Sequence, residues 1–248
     1  MSSAPRVLVL GSCRVSRPLR RLHEQGLIDY VNFDERIWFT HTSAGARQTL
    51  NVLRGDATIP QPLRPTALET HLTFGEDMSA PGLTSVDVVV VEVSSLKRHT
   101  VDGVELNAHK IYGAAVAAGV EARQLLQGNT EGLPDEHLLK PMRVTVTGYE
   151  ELAADLLSIR EAVGGAILTV DHLYSELPDG SPIPEREKLS GYLRQAEAEY
   201  GIPHYSTKPA IVAHGIDKAL SDSTHYRPEF EPVVSELLLP LVTGPLAS

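Results

Sequence analysis

Short runs of consecutive apolar residues alternate along the chain with longer stretches in which apolar residues recur every three or four positions. Four of the short runs are rich in β-branched residues: 6–10 (RVLVL), 86–93 (VDVVVVEV), 165–171 (GAILTVD) and 202–207 (IPHYST). A weaker fifth run is 28–33 (IDYVNF). Apolar runs without polar alternation suit strands covered on both faces, as in a parallel sheet. Helical patterns lie between them. SRPLRRLHEQG (16–26) places Ser16 at an N-cap and Gly26 at the stop. Residues 107–128 are Ala-rich and amphipathic, and 147–165 opens with Thr147 and Glu150 in capping-box spacing. Residues 185–201 form a charged helix ending in Gly201, and 228–242 form a C-terminal helix. Strands alternating with helices predict an α/β fold, with right-handed crossovers covering both faces of a parallel sheet.

The chain has 248 residues and no internal repeat, which fits one domain spanning 1–248. Residues 55–85, rich in Pro, Gly and Thr, read as a long excursion with an extra strand at 68–74, and as a lid. Residues 128–141 read as a surface loop.

Composition narrows the function. Apolar residues make up 42% and charged residues 22%, enough for a soluble domain with a sizeable core. A net charge of −10 argues against nucleic acid and anionic membrane surfaces as partners. The local cluster Arg14, Arg17, Arg20 and Arg21 still suits a small anion. The single cysteine cannot form an internal disulfide. The apolar run after Arg6 reads as a strand rather than a signal peptide, and no run approaches the ~18 residues that span a bilayer. A cytoplasmic protein is expected. Ten histidines without His-x-His or His-Glu-x-x-His spacing predict no metal site. The absence of a Gly-x-Gly-x-x-Gly or Walker loop argues against a nucleotide fold.

In an open parallel sheet, ligands bind beyond the carboxyl ends of the strands. Gly11-Ser12-Cys13-Arg14 follows the first strand, ERIWFTHTSAG (35–45) the second, Ser94 to His99 the third, and Asp171-His172 the fourth. Asp222 and His225 stand three apart in the loop before the last helix. A thiol at the first loop and an Asp-x-x-His pair at the last supply a nucleophile, a base and a group that orients the base. Cys13 attacks, His225 moves the proton, and Asp222 holds the imidazole. Gly11 permits the tight turn, and backbone N–H groups there face a developing oxyanion. Arg14 and the start of a helix are expected to lower the thiol pKa, an effect that weakens if the helix begins only at Ser16. The charge run Lys97-Arg98-His99 reads as solvated, and His172 as a second-tier substrate contact.

Gly11-Ser12-Cys13 near the N-terminus and Asp222-x-x-His225 before the last helix together resemble the SGNH (GDSL-type) hydrolase superfamily. Cys13 falls in the slot of its serine nucleophile and Ser12 in that of its aspartate. Gly-Ser-Cys is also similar to the turn of the GSCFA group and of WcbI-type capsular polysaccharide biosynthesis proteins. The resemblance implies a three-layer, flavodoxin-like sandwich with a five-stranded parallel sheet in the order 2-1-3-4-5. It also implies an acyl hydrolase or acyltransferase acting on an ester or thioester. No cofactor is required; coenzyme A or an acyl-carrier thioester suits the role of donor, and the partner is a small-molecule or carrier-bound acyl substrate. Gly45 is the candidate for the second-block glycine. Where the superfamily carries an oxyanion-hole Asn, this chain has EVSSLKRH, leaving Ser94 or Ser95 as donors. Two other readings stand beside this one: a non-catalytic carbohydrate- or acyl-carrier-binding protein, and an esterase with Ser12 as nucleophile.

Overall fold

The computed structural model describes residues 3–32, 39–68, 78, 80, 82 and 84–244. Its elements run β1 (Arg6–Leu10), α1 (Cys13–Glu24), β2 (Asp29–Tyr30), α2 (Ser43–Arg54), α3 (Arg64–Ala67), β3 (Val88–Val93), β4 (Lys97–Val101) and β5 (Val104–Glu105). There follow α4 (Ala108–Ala117), α5 (Ala122–Leu125), β6 (Arg143–Val146), α6 (Tyr149–Val163), β7 (Ala166–Asp171) and α7 (Pro184–Tyr200). The chain then forms β8 (His204–Tyr205), α8 (Lys208–His214), α9 (Ile216–Ala219) and α10 (Glu231–Thr243).

The main sheet is parallel throughout, in the order β2-β1-β3-β7-β8. Counting only its own strands, this is the expected 2-1-3-4-5. β3 pairs with β1 from Val88 to Val91 on one side and with β7 from Val88 to Val93 on the other, so every β3 residue is buried. The edge strand β2 pairs over only two residues. Beyond it, the Asn32 side chain takes over: Oδ1 accepts from Val9 N–H at 3.0 Å and Nδ2 donates to Val9 C=O at 2.8 Å.

Side chains alternate across the sheet. Leu8, Leu10, Val89, Val91 and Val93 join the core on the face of α2, α6 and α7. Val7, Val9, Val88, Val90, Leu168 and Val170 join the opposite core with α1 and α10. The same parity sends Glu92, alone among the β3 valines, beneath the start of α1.

Four local expectations are corrected. Helix α1 starts at Cys13 with Ser12 as N-cap, three residues before Ser16 is reached. Residues 107–128 form two helices, because Gly119 adopts φ +69° after Ala118. Before α6, Gly148 takes the cap position, and its N–H donates to the Glu151 carboxylate at 3.2 Å rather than Thr147 pairing with Glu150. The Lys97–His99 run is no solvated loop. It lies in β4, the centre of an antiparallel sheet β5-β4-β6, where Arg98 pairs with Glu105 and His99 is buried.

Within the 55–85 excursion, Ile59, Leu63 and Leu68 pack into the core. The strand anticipated at 68–74 lies, apart from Leu68, outside the described residues. The 128–141 segment also buries Leu133 and Leu139, so it is more than a surface loop. No helix among the described residues is long and apolar enough to cross a membrane.

Candidate functional site

Where β1 ends, the chain turns sharply into α1 against the middle of β3. A Cβ on Gly11 would lie 2.7 Å from both Glu92 Cβ and Val15 Cγ2, closer than carbon atoms pack. Gly11→Ala should therefore lower stability by about 1–3 kcal/mol through overpacking, read as a fall in the urea midpoint. An unchanged midpoint would mean that the turn relaxes freely.

Glu92 organises this turn. The Ser12 N–H donates to its Oε2 at 2.7 Å and the Ser12 hydroxyl to the same oxygen at 2.6 Å, while Arg14 Nε donates to Oε1 at 2.5 Å. Burial pushes the Glu92 carboxyl upward, but the Arg14 guanidinium and the Ser12 donors outweigh it and hold the group below the usual carboxylate range. Ser12 also caps α1 by accepting from Arg14 N–H at 3.3 Å. Its hydroxyl is thus committed to structure, which counts against Ser12 as a nucleophile.

Cys13 is the first residue of α1, half-buried and unbonded to any other thiol. It sits within the first turn, yet its pKa moves opposite to expectation. Burial pushes it up, and the opposing effect of Arg14 is smaller. The physical reason is that Arg14 spends its charge on Glu92, so the thiol sees an ion pair, and the Glu92 carboxylate adds to the upward push. The Cys13 backbone N–H lies against its own sulfur and pulls the pKa down only slightly.

Across the rim, the 221–225 loop presents His225. Its Nδ1 lies 2.9 Å from Asp222 Oδ2 and 3.1 Å from Oδ1. Asp222 also accepts from the Thr224 hydroxyl at 2.7 Å and Thr224 N–H at 2.6 Å. The Thr224 hydroxyl bond, then His225 and the Thr224 N–H, keep the Asp222 carboxyl far below its usual range. This loop is tied to the cysteine turn, because Arg14 Nη1 donates to Thr224 C=O at 3.3 Å. The neighbour of Cys13 thus binds the neighbour of His225.

Cys13 and His225 line one cavity of about 1070 Å³, which also takes in Ser12, Arg14, Gly45, Ser94, Ser95 and His172. Several predicted donors are already occupied. Gly45 N–H donates to the Thr42 hydroxyl at 3.0 Å in the cap of α2, and the N–H groups of Ser94 and Ser95 both donate to His41 C=O, at 2.9 and 2.8 Å. The Ser94 hydroxyl instead lies 3.0 Å from His41 Nδ1. His172 points to the cavity, whereas its neighbour Asp171 lies on the other face of the sheet, accepts from Ser190 on α7 and sits 3.6 Å from His204.

Four cavity or turn residues escape the sequence reading: Glu92, Arg186, His41 and His109, the last two with rings 5.1 Å apart. For Glu92 a signal existed. A lone carboxylate in a run of buried valines must have a cation or several donors beside it. The others become neighbours only through the fold.

A family model, TviD N-terminal domain, matches residues 5–127 and 116–240. No curated protein matches the chain.

Proposed function

The chain belongs to the TviD N-terminal domain family, and from that premise we propose an enzyme of capsular polysaccharide biosynthesis that transfers or removes an acyl group through Cys13. The observation that carries this reading is the bond from Arg14 to Thr224, which brings the half-exposed thiol and the Asp222–His225 pair to one rim of one cavity.

The chemistry follows from the groups present. Cys13 Sγ attacks the carbonyl carbon of an ester or thioester while His225 Nε2 takes the thiol proton. The bond from carbonyl carbon to leaving oxygen or sulfur breaks, and His225 returns the proton to that leaving group. Water or an acceptor hydroxyl then gives its proton to His225, attacks the thioester and releases Cys13 as a thiol. Asp222 keeps Nδ1–H directed at itself, so that Nε2 faces the reaction as a base. The Cys13 N–H is the first donor to the oxyanion. Because burial keeps the resting thiol protonated, His225 acts during attack rather than by maintaining a thiolate beforehand. Acetyl-coenzyme A is a suitable first donor to test; the sugar hydroxyl of a polysaccharide precursor is a suitable acceptor.

Two measurements test this. Alkylation of Cys13 by iodoacetamide should reach half its maximal rate at a pH above that of an exposed cysteine, since the folded pKa is raised. A midpoint below the ordinary thiol value would contradict the account of the Arg14–Glu92 pair. Incubation with acetyl-coenzyme A or p-nitrophenyl acetate should place one acyl group on the Cys13 peptide, seen by mass spectrometry, and His225→Ala should remove that adduct. Binding of these donors with no adduct and no turnover would favour the non-catalytic binding protein instead.

A further inference from the structure

The arginines that the sequence clusters near Cys13 are largely spoken for. Arg14 pairs with Glu92, Arg17 with Glu231 at 3.4 Å, and Arg20 with Glu24 at 3.0 Å. A cation without such a partner comes from elsewhere in the chain. Arg186, in the first turn of α7, lines the same cavity, and no carboxylate pairs with it among the described residues. Its Nη1 donates only to neutral oxygens, Leu173 C=O at 3.1 Å and Ser175 Oγ at 2.5 Å.

Arg14 adds a second unsatisfied donor. The residue is only 8% exposed, and its Nη2 is buried with no hydrogen-bond partner among the described residues. A buried guanidinium N–H without an acceptor is costly and calls for one. The two arginines act electrostatically on each other and on His172, which lines the same cavity. Burial and then the charge of Arg14 push Arg186 down to about 10, and burial, Arg14 and Arg186 push His172 down to about 3. His172 is therefore neutral near pH 7 and adds no charge of its own to this wall. Glu185 and Lys188, also on the cavity wall, carry opposite charges. The loops to which the two arginines donate are joined, since Ser175 Oγ donates to Ser223 C=O at 3.4 Å beside the Thr224 carbonyl held by Arg14.

We propose that Arg186, with Arg14 and His172 around it, forms a receptor for an anionic group of the substrate, a carboxylate or a phosphate, next to Cys13. Arg186 presents the charge, and Arg14 lies on the same cavity wall. The net negative charge of the chain does not oppose this at contact range, where a local unpaired guanidinium outweighs distant, screened carboxylates. Its role as a substrate subsite rests on the acyl-transfer reading above; anion binding itself does not require that Cys13 be a nucleophile.

The single cysteine makes the test direct. Cys13 is alkylated at one pH by neutral iodoacetamide and by anionic iodoacetate, with N-acetylcysteine as the free-thiol reference. The intact wild-type protein should favour iodoacetate over iodoacetamide by roughly tenfold relative to that reference, the scale of one hydrogen bond to a charged group. Inorganic phosphate or D-glucuronate should protect Cys13, and D-glucose should not. Protection by phosphate alone identifies a phosphate receptor, and protection by glucuronate alone a carboxylate receptor. Arg186→Gln should abolish both preference and protection, while Arg186→Lys retains part of each. Should Arg186→Gln fail to fold, the wild-type protection and the lysine variant still decide. A reagent ratio equal to that of N-acetylcysteine, absence of protection by either anion, or undiminished protection in Arg186→Gln each overturns the proposal. Phosphate or glucuronate binding by titration calorimetry in Cys13→Ala separates the two ideas: binding that persists in a variant still active in acyl transfer would sink the nucleophile and spare the receptor.

Discussion

Cys13→Ala is expected to lower acyl transfer by about 10³-fold or more and to abolish the acyl-enzyme, with little effect on folding. The magnitude follows from losing the attacking atom while the cavity, the Asp222–His225 pair and the Cys13-position N–H all remain. Little stability is at stake, because the side chain is only half-buried and makes no bond that the fold depends on. Turnover of acetyl-coenzyme A or p-nitrophenyl acetate, followed with a urea unfolding curve on the same preparation, checks both parts. Full activity in the alanine variant would end the cysteine mechanism. Ser12 would be a poor heir, since its hydroxyl already donates to Glu92 at 2.6 Å and accepts from Arg14 N–H at 3.3 Å. The Ser94 hydroxyl, 3.0 Å from His41 Nδ1 in the same cavity, would then be the group to replace next.

The second large effect is on stability. Glu92→Gln is expected to cost about 3–5 kcal/mol, because it removes the countercharge of an arginine that is itself buried. The cost also includes weaker acceptance from Ser12, whose N–H and hydroxyl both point at the lost carboxylate oxygen. The sign with pH is defined. The folded carboxyl titrates below its usual range, so its stabilisation is complete above that range and is lost as pH falls through the depressed value. The variant should lack this acid-side loss. Replacing both partners, Glu92→Leu with Arg14→Met, should recover much of the stability, since no buried charge is then left alone. Urea denaturation of the single and double variants measures the coupling. A Glu92→Gln protein within about 1 kcal/mol of wild type would show that water or rearrangement compensates Arg14, and the account of the turn would fail.

Much of the local geometry of the candidate site was readable one segment at a time. Gly11-Ser12-Cys13 announces a tight strand-to-helix turn, and Asp222-x-x-His225 is close enough in sequence for its side chains to meet within one loop. The details of caps were less legible. Ser12 and Ser16 are both competent N-caps, and Ser12 wins because Glu92 on another strand fixes its backbone and hydroxyl. The antiparallel sheet was hidden for a similar reason: Lys97-Arg98-His99 looks solvated until Glu105 and the Leu126 carbonyl, 3.0 Å from His99, are brought beside it.

The amino-acid sequence by itself determined the parallel α/β architecture, because runs of β-branched residues and intervening helical periods are local properties that burial on two faces selects. It also determined that one thiol stands at the end of the first strand. Only the tertiary structure decided how that thiol behaves. Its pKa depends on a carboxylate 79 residues away that neutralises the neighbouring arginine, and its surroundings on Arg186, delivered by a helix that begins after the fourth strand of the main sheet. Charges interact through space and are reset by burial, so their partners and their sign of influence exist only once the chain has folded.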